Sequence, residues 1–243
     1  MPPADLLAAG RSEVSRYGVE LIEGEVVGLR PGFAAELAEG RVLEARRVLV
    51  ATGVRDELPD LPGVRERWGK DLLHCPYCHG YELDQGRIGV LASSEMSMHH
   101  ALMLPDWGST TLFLNGAFTP DAEQITQLMQ RSVTIEREPI RRLSGASIDV
   151  ELTDGRVVPL DGMFTLTRTS PASPLGAQLG CAMEDGPMGP FLQTDMFKET
   201  TVSGVFACGD MARATGSVAL AVGDGAMAGV GAHRSLMFGT GHG

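Results

Sequence analysis

The sequence contains little positive charge, few aromatic side chains and few cysteines. Its 20 lysines and arginines stand against 31 aspartates and glutamates, which gives a formal net charge of −11. Nucleic acids and anionic membrane surfaces are polyanions that bind clustered cations, so we expect neither as a partner. Four cysteines in 243 residues are too few for the disulfide framework of a secreted protein.

Long apolar runs are also lacking. No segment reaches the roughly 18 apolar residues of a membrane-spanning helix, and residues 1–5, Met-Pro-Pro-Ala-Asp, are unlike a signal peptide. We therefore expect a cytoplasmic protein. Hydrophobic residues make up 43% of the chain and charged residues 21%, a balance typical of a globular protein rather than a disordered one.

Glycine, by contrast, is abundant. Glycine accounts for 31 of the 243 residues, well above the usual share of about 7%. Aromatic residues make up only 5%. Many glycine turns with little aromatic bulk favour an α/β protein whose connections approach a nucleotide closely. Apolar runs alternate with helical patterns in the middle of the chain, which predicts a doubly wound parallel sheet. The predicted strands are 87–92, 110–114 and 133–135, and the helices between them are 96–104 and 122–131.

The flanking parts of the chain predict further elements from apolar spacing and turn residues. The first helix carries a stripe of leucine, valine and tyrosine that we expect to be buried. Two hairpins are expected, the second around a strong Asp-Gly turn pair. The predicted helices are 4–17 and 217–231, and the predicted strands are 19–22, 33–37, 41–43, 48–51, 148–152, 157–160 and 204–207.

The two hairpins form an internal repeat. Residues 35–42 read AELAEGRV and residues 150–157 read VELTDGRV. Two unrelated hairpins with similar turn chemistry would give this likeness, but so would two related nucleotide-binding domains, each ending in a hairpin and a return strand. We favour the related domains.

The first copy of this repeat is short at its start. The second copy opens with the strand at 87, whereas only residues 1–32 precede the first hairpin, and they contain no Gly-x-Gly-x-x-Gly turn. A βαβ unit takes about 30 residues or more. We therefore expect the first domain to lack its opening βαβ unit and the chain to be truncated at its N-terminus.

The most informative motif is HCPYCHGYE at residues 74–82. Cys75 and Cys78 have the Cys-x-x-Cys spacing that closes a small disulfide, and thiols at this spacing are commonly acidified. The adjacent His74 and His79 could hold or move the proton released when a thiolate attacks a disulfide.

Three kinds of site are compatible with this cysteine pair. A structural zinc site uses four ligands, commonly two pairs, but Cys181 and Cys208 do not form a second pair. In a glutaredoxin-like module the second cysteine leads into a long helix, whereas Gly80 and residues 84–86 end any helix early here. The third interpretation, a redox disulfide serving a bound cofactor, is favoured by the flanking segments.

Three of those segments are suited to a nucleotide cofactor. Residues 48–55 and residues 205–210 are apolar strands that run into glycine turns, Thr52-Gly53 and Gly209-Asp210. Asp210 is placed to accept hydrogen bonds from a ribityl or ribose hydroxyl. Residues 216–226 form a helix of small side chains, whose backbone N–H groups can approach a polar ring edge or a phosphate.

Together these motifs resemble the low-molecular-weight thioredoxin reductase-like flavoproteins, which are FAD-dependent pyridine nucleotide-disulfide oxidoreductases. The resemblance covers nearly the whole chain and keeps the motifs in the family's order. It implies a homodimer with two Rossmann-like, three-layer domains. An FAD-binding domain would comprise 1–70 and 196–243, and an NAD(P)-binding-like domain would comprise 71–195. The residues implied to hold FAD are Thr52, Gly53, Gly209, Asp210, Ser217, Val218 and Ala219.

The resemblance also implies roles for the motif residues. Cys75 would exchange with the substrate, and Cys78 would face the flavin. Thioredoxin reductases usually have an acidic proton donor after the second cysteine, but this chain has His79. The string CPYCHGYE is more similar to the branch that includes dithiol oxidases of disulfide-containing natural products.

A second departure concerns NADPH. Family members that use it carry Gly-x-Gly-x-x-Ala after the opening strand of the second domain, but residues 92–97 read ASSEMS. Ala92 and Ser94 add side chains where glycine permits close pyrophosphate approach, and Glu95 adds a repulsive charge. Residues 112–116 offer no cation for a 2′-phosphate. We therefore expect weak or absent NADPH binding.

The predicted activity is oxidation of a dithiol through Cys75 and Cys78, with FAD as cofactor and O2 as the final acceptor. The enzymatic alternative is an NADPH-dependent reductase of a thioredoxin-like protein. The alternative without activity is a truncated fragment that only binds partners. His99 and His100 are expected to face solvent or to pack, and no metal-ligand set is expected.

Overall fold

A computed structural model gives the structure of residues 3–239. Residues 1–2 and 240–243, which fall within the predicted FAD-binding domain, lie outside the described residues. The chain divides into two compact units. Unit 1 comprises Met1–Gly53, Pro171–Gly186 and Pro190–Gly243, and unit 2 comprises Val54–Ser170 and Pro187–Gly189. These limits differ from the predicted domain limits at residues 70 and 195.

The helices and strands follow in chain order. The helices are α1 (Pro3–Arg16), α2 (Val64–Arg67), α3 (Pro76–His79), α4 (Ser97–Met103), α5 (Ala122–Gln130), α6 (Leu175–Gln178) and α7 (Val218–Phe238). The strands are β1 (Val26–Arg30), β2 (Ala34–Leu37), β3 (Val42–Glu44), β4 (Val48–Val50), β5 (Val54–Glu57), β6 (Leu72–Leu73), β7 (Gln85–Leu91), β8 (Gly108–Phe113), β9 (Thr134–Glu136), β10 (Ile140–Ser144), β11 (Ile148–Leu152), β12 (Val157–Leu160), β13 (Gly162–Thr165), β14 (Arg168–Pro171), β15 (Met183–Gly186), β16 (Gly189–Leu192) and β17 (Val205–Ala207).

Unit 2 contains the predicted parallel sheet. Its five strands lie in the order β6-β13-β7-β8-β9 and are all parallel. Val90 of β7 pairs with Phe164 of β13 on one side and with Leu112 of β8 on the other. Helices α4 and α5 connect successive strands, as expected of βαβ units.

Unit 2 has three layers, because successive side chains along each strand point to opposite faces of the sheet and both faces are covered. Val90 packs in one buried cluster with Leu128 of α5, and the next residue, Leu91, packs on the opposite face with Val150 of β11. Helices therefore cover one face of the sheet and the meander β10-β11-β12 covers the other. Full burial of each such side chain contributes about 1.5–3 kcal/mol.

The internal repeat is confirmed by strand register. In unit 1, β1-β2-β3 form an antiparallel meander in which Glu36 pairs with Val42. In unit 2, β10-β11-β12 form a second one, in which Glu151 pairs with Val157. The register shifts near the start of β1 and of β10 in the same way. Both meanders lead into a parallel strand, β4 or β13.

Two N-terminal expectations are wrong. Residues 4–17 were predicted to be a helix with a buried stripe; α1 forms, but none of its residues is buried, and Leu7 is 67% exposed. Residues 19–22 form no strand, because their backbone pairs with no strand among residues 3–239. Strand β1 follows instead, and within the described residues no strand precedes it.

Helix α7 packs closely in unit 1. Its buried residues include Ala228 and Gly231. A Cβ at Gly231 would lie 2.3 Å from the carbonyl oxygen of Phe197, so only glycine permits this approach. Between residues 3 and 239, no helix combines the length and apolar character needed to cross a membrane.

Candidate functional site

The thiol motif follows an edge strand of the unit 2 sheet. The chain leaves β6 at Leu73, passes through His74 and enters α3. Cys75 is the N-cap of α3, with an extended backbone at φ −108°. Pro76 occupies the first helical position, where a missing N–H costs no hydrogen bond. This arrangement places both cysteines at the carboxyl end of the sheet.

Helix α3 is a single turn. The backbone N–H of Cys78 donates to the carbonyl of Cys75 at 3.2 Å, and that of Gly80 donates to the carbonyl of Pro76 at 2.6 Å. A Cβ at Gly80 would lie 2.8 Å from the Trp107 ring, so glycine lets α3 lie against this ring. The early end predicted for this helix is confirmed.

The two thiols differ in exposure and in acidity. Both are free, with Cys75 half-buried and Cys78 exposed. Partial burial, the hydrogen bond to Cys75 and the negative charges of Cys75 and Glu82 raise the pKa of the Cys78 thiol to about 11. The Cys78 sulfur therefore stays protonated near neutral pH in the reduced pair.

Exposed side chains surround the pair. Tyr77 is 79% exposed and packs edge-on against Trp107, with ring centroids 5.5 Å apart. Tyr81 is 87% exposed. His79, at the end of α3, is also exposed. Aromatic surface and an imidazole thus lie exposed beside the thiol pair.

The structure separates the two histidines of α4. His99 is exposed, but His100 is 3% exposed, and its ring centroid lies 6.3 Å from that of His74. Sequence reasoning missed this contact because it joins α4 to the end of β6, which are distant in the chain.

The residues predicted to hold FAD lie in unit 1. Strands β4 and β17 are parallel neighbours, with Val50 opposite Ala207. The Cys208 N–H continues this pairing by donating to the carbonyl of Val50 at 3.1 Å. Thr52 Oγ1 donates to Met211 Sδ at 3.3 Å. The turns after the two strands, which contain Thr52-Gly53 and Gly209-Asp210, therefore lie together at the carboxyl ends of parallel strands, where α/β folds bind ligands.

Asp210 has an unused hydrogen-bonding atom in this site. Its Oδ1 is buried and finds no donor within the described chain, residues 3–239. A Cβ at Gly216 would lie 2.3 Å from this oxygen, so glycine keeps the space around the carboxylate open. A buried acceptor without a donor fits a ligand hydroxyl, such as one on the ribityl chain of FAD.

The N-terminus of α7 completes the site. Ser217 is the N-cap, and its Oγ accepts from the Leu220 N–H at 3.2 Å. The N–H groups of Val218 and Ala219 belong to the first turn, which has no carbonyl partners within the helix. They can donate to the polar edge of a flavin ring. The residues present thus fit the ring and ribityl parts of FAD.

The other cysteines are buried in unit 1. Burial first, and then the charge of Asp224, raise the pKa of Cys208. The Sγ of Cys181 lies 3.3 Å from Thr200 Oγ1. Among residues 3–239, no three His, Cys, Asp or Glu side chains gather to hold a metal ion.

Unit 2 also contains a cavity of about 610 Å³. It lies at the carboxyl ends of β7 and β8, where a parallel sheet with crossover helices binds ligands. Glu57 and Glu95 contribute carboxylates, and Arg168 is the single cation among its described lining residues. The remaining lining residues are Leu58, Pro59, Ala92, Ser93, Ser94, Met96, Asn115, Ala117, Leu166, Thr167, Pro187 and Met188.

The turn between β7 and α4 forms one wall of this cavity and uses its own polar groups. The Ser93 N–H donates to Ser97 Oγ at 3.0 Å, and the Ser93 hydroxyl donates to the Leu166 carbonyl at 2.7 Å. Glu95 Oε1 accepts from Gln124 Nε2 at 2.6 Å, so the carboxylate is held beside the turn. A dinucleotide pyrophosphate would meet an engaged N–H and a fixed negative charge here.

Comparison with known proteins identifies the family. Residues 8–225 match the family described as pyridine nucleotide-disulphide oxidoreductase. The chain belongs to this family. The predicted resemblance, fold class and enzyme class are thereby confirmed, and the protein is an FAD-dependent disulfide oxidoreductase of thioredoxin reductase-like type.

Individual oxidoreductases of this type are similar along most of the chain. Thioredoxin reductase tcpT of Claviceps purpurea is 31% identical over 255 residues, covering 97% of this chain and 78% of its own. Thioredoxin reductase aclD of Aspergillus oryzae is 28% identical, with coverage of 97% and 81%.

Solved structures agree with the fold. The crystal structure of an oxidoreductase from Agrobacterium tumefaciens is 51% identical, with a TM-score of 0.92 and coverage of 97% of this chain and 81% of its own. The crystal structure of HlmI is 40% identical, with a TM-score of 0.89 and coverage of 98% and 77%.

Proposed function

We propose that this flavoprotein oxidises a dithiol substrate to a disulfide and transfers the electrons to O2, with Cys75 and Cys78 as the redox pair. The observation that carries the proposal is the turn between β7 and α4, where a pyridine nucleotide would otherwise bind. Its Ser93 N–H is engaged by Ser97, and Glu95 places a carboxylate beside it. Without NADPH as donor, the electrons come from the thiol substrate.

The charged side chains that line the cavity also support electron flow from the thiol substrate rather than from NADPH. Its described charged side chains are two carboxylates, Glu57 and Glu95, and one guanidinium, Arg168. NADPH carries a pyrophosphate and a 2′-phosphate, so it needs clustered donors and cations. Asn115, in the segment where a 2′-phosphate cation is expected, accepts instead from the Ile140 N–H at 2.8 Å.

The exchange begins with the disulfide form of the pair. One substrate thiolate attacks Cys75 Sγ, the Cys75–Cys78 bond breaks, and the departing Cys78 sulfur takes a proton. Its raised pKa favours this protonation. The second substrate thiolate then attacks the substrate sulfur of the mixed disulfide, which releases Cys75 and the oxidised product.

The reduced pair must then give up two electrons, so that the Cys75–Cys78 disulfide forms again. FAD, when bound, supplies a two-electron acceptor that O2 reoxidises, giving H2O2. Asp210, Thr52 and the first turn of α7 would hold its ribityl chain and ring. His79, next to Cys78, would take the thiol proton. The net reaction is R(SH)2 + O2 → RS2 + H2O2, which balances atoms and electrons.

The second candidate is an NADPH-dependent reductase of a thioredoxin-like protein. It is favoured by the names of the tcpT and aclD relatives, both thioredoxin reductases. In that direction the cavity of unit 2 would bind NADPH, despite its engaged turn and its acidic side chains.

A cytoplasmic homodimer is part of either proposal. Exposed apolar residues on α7, including Val222 and Val230, support a subunit contact, and light scattering of the purified chain tests it.

Oxygen consumption tests the proposed activity. The FAD-loaded protein in air, given dithiothreitol and no NADPH, is expected to consume one O2 and form one H2O2 per dithiol oxidised. Cys78→Ser should abolish this turnover because the pair can no longer close. Cys181→Ser is the matched control and should turn over normally. Absence of H2O2 formation by the unaltered flavoprotein would reject the proposal.

A further inference from the structure

Two imidazoles beside the thiol pair, the buried His100 and the half-buried His74, have no role in the proposed exchange. His74 directly precedes Cys75, and His100 faces it from α4. The rings meet edge to face, at an interplanar angle of 74°. His100 also contacts Phe164 of β13, with ring centroids 6.2 Å apart. This histidine is therefore held between the end of β6 and the centre of the sheet.

The same atom is unused in both rings. Nδ1 of His74 and Nδ1 of His100 are both buried and lack a hydrogen-bond partner anywhere in residues 3–239. Buried polar atoms in native proteins are nearly always paired. In a neutral imidazole one nitrogen donates and the other accepts, so one ring can donate while the other accepts. With the ring centroids 6.3 Å apart, the two Nδ1 atoms are too distant for a direct hydrogen bond, and one buried water between them would pair both.

His100 stays neutral in this position. Burial, followed by the charges of His74 and His99, lowers its pKa to about 4. His74, from the end of β6, and His99, from α4, are the ionisable groups that act on it, and Phe164 brings no charge. Neutral imidazole prefers to carry its proton on Nε2, which makes His100 Nδ1 an acceptor.

We propose that His100 is a positioning residue for His74, and this inference rests on the proposed use of Cys75. A buried water accepts from His74 Nδ1–H and donates to His100 Nδ1, and this leaves His74 Nε2 unprotonated. That nitrogen takes the proton from the Cys75 thiol, giving a thiolate and an imidazolium, with no electron transferred. A nucleophile at the N-cap of α3, its base just after β6 and the group on α4 that orients the base are then brought together.

Nuclear magnetic resonance of the unaltered protein with its Cys75–Cys78 disulfide closed, and so with no thiol proton for His74 to take, tests the tautomers. With 15N-labelled histidine at pH 7.5, His74 is expected to carry its proton on Nδ1 and His100 to carry its proton on Nε2. His100→Phe should shift His74 toward the Nε2–H form. A His74 ring that already carries its proton on Nε2 in the unaltered protein would overturn the proposal.

Alkylation of Cys75 tests the consequence. In the reduced Cys78→Ser protein, the rate of iodoacetamide labelling at Cys75 is followed against pH by mass spectrometry. His100→Phe should lower the rate at pH 7 about tenfold and move the profile to higher pH, and His100→Gln, which keeps an acceptor, should recover part of it. His99→Phe is the matched control on the same helix and should change nothing.

These outcomes are independent of turnover. If His100→Phe keeps its circular dichroism spectrum and labels at the unaltered rate, the positioning role is wrong. If that variant fails to fold, the tautomers of the unaltered protein decide. Failure of dithiol oxidation alone, with the expected labelling profile, would reject the proposed function and leave this inference standing.

Discussion

Replacing Asp210 with asparagine should move FAD affinity and protein stability in opposite directions. Asp210 Oδ1 is buried without a donor within the described residues, so in the absence of FAD the carboxylate lowers the stability of the fold. In the holoprotein the same atom would accept a ligand hydroxyl. Asn has the same shape, so it does not disturb the narrow space beside Gly216.

The magnitudes follow from the hydrogen bond involved. A hydrogen bond to a charged group contributes about 1.5–3 kcal/mol, so Asp210→Asn should raise the Kd for FAD about 10- to 150-fold. In the apoprotein, relief of the unpaired buried charge by about 1 kcal/mol should raise the Tm by about 2–4 °C.

Two titrations check these shifts. Flavin fluorescence quenching gives the Kd, and circular dichroism gives the Tm of the apoprotein. Asp185→Asn, an exposed carboxylate on β15, is the matched control and should alter neither. An unchanged Kd in Asp210→Asn, with a normally folded protein, would refute the assignment of Asp210 to the FAD site.

Three further changes test the thiol site and the core. Gly80→Ala places a Cβ 2.8 Å from the Trp107 ring, so it should displace α3 and slow dithiol oxidation by at least tenfold; unchanged rates would contradict the packing. At pH 8 the reduced protein should be alkylated at Cys75 before Cys78, since the Cys78 pKa is about 11 and its thiolate forms only as the pH rises toward that value. Peptide mass spectrometry reads the order, and earlier labelling of the more exposed Cys78 would contradict it. Phe164→Ala removes a fully buried ring and should lower the unfolding free energy by about 3–5 kcal/mol, measured by urea denaturation, whereas a loss below 1 kcal/mol would show that the ring is not packed in the core.

The sheet of unit 2 could be predicted because its strands are buried on both faces. A continuous apolar run such as residues 88–92 is typical of a central strand in a parallel sheet. The hairpin around residues 154 and 155 was predictable from turn chemistry. The repeat was predictable because both copies keep the same register, Glu36 with Val42 and Glu151 with Val157.

The missed features depend on contacts that leave no local pattern. The apolar spacing of α1 is correct for a helix, but the exposure of Leu7 depends on what packs beside it. Strand β1 was missed because Gly28 interrupts its apolar run, and its partner Glu36 supplies the pairing. His100 looks like its neighbour His99 in the sequence, and only the fold places it against His74.

The measurement that tests the central claim most directly is anaerobic reduction of the bound flavin by two donors. The FAD-loaded protein is mixed in a stopped-flow instrument with dithiothreitol or with NADPH at equal concentration, and the visible flavin band is followed. Dithiothreitol should bleach the band in the unaltered protein and fail to do so in Cys78→Ser, while NADPH should leave it unchanged. Rapid bleaching by NADPH would contradict the account, since the cavity between Glu95 and Arg168 would then be a working pyridine nucleotide site.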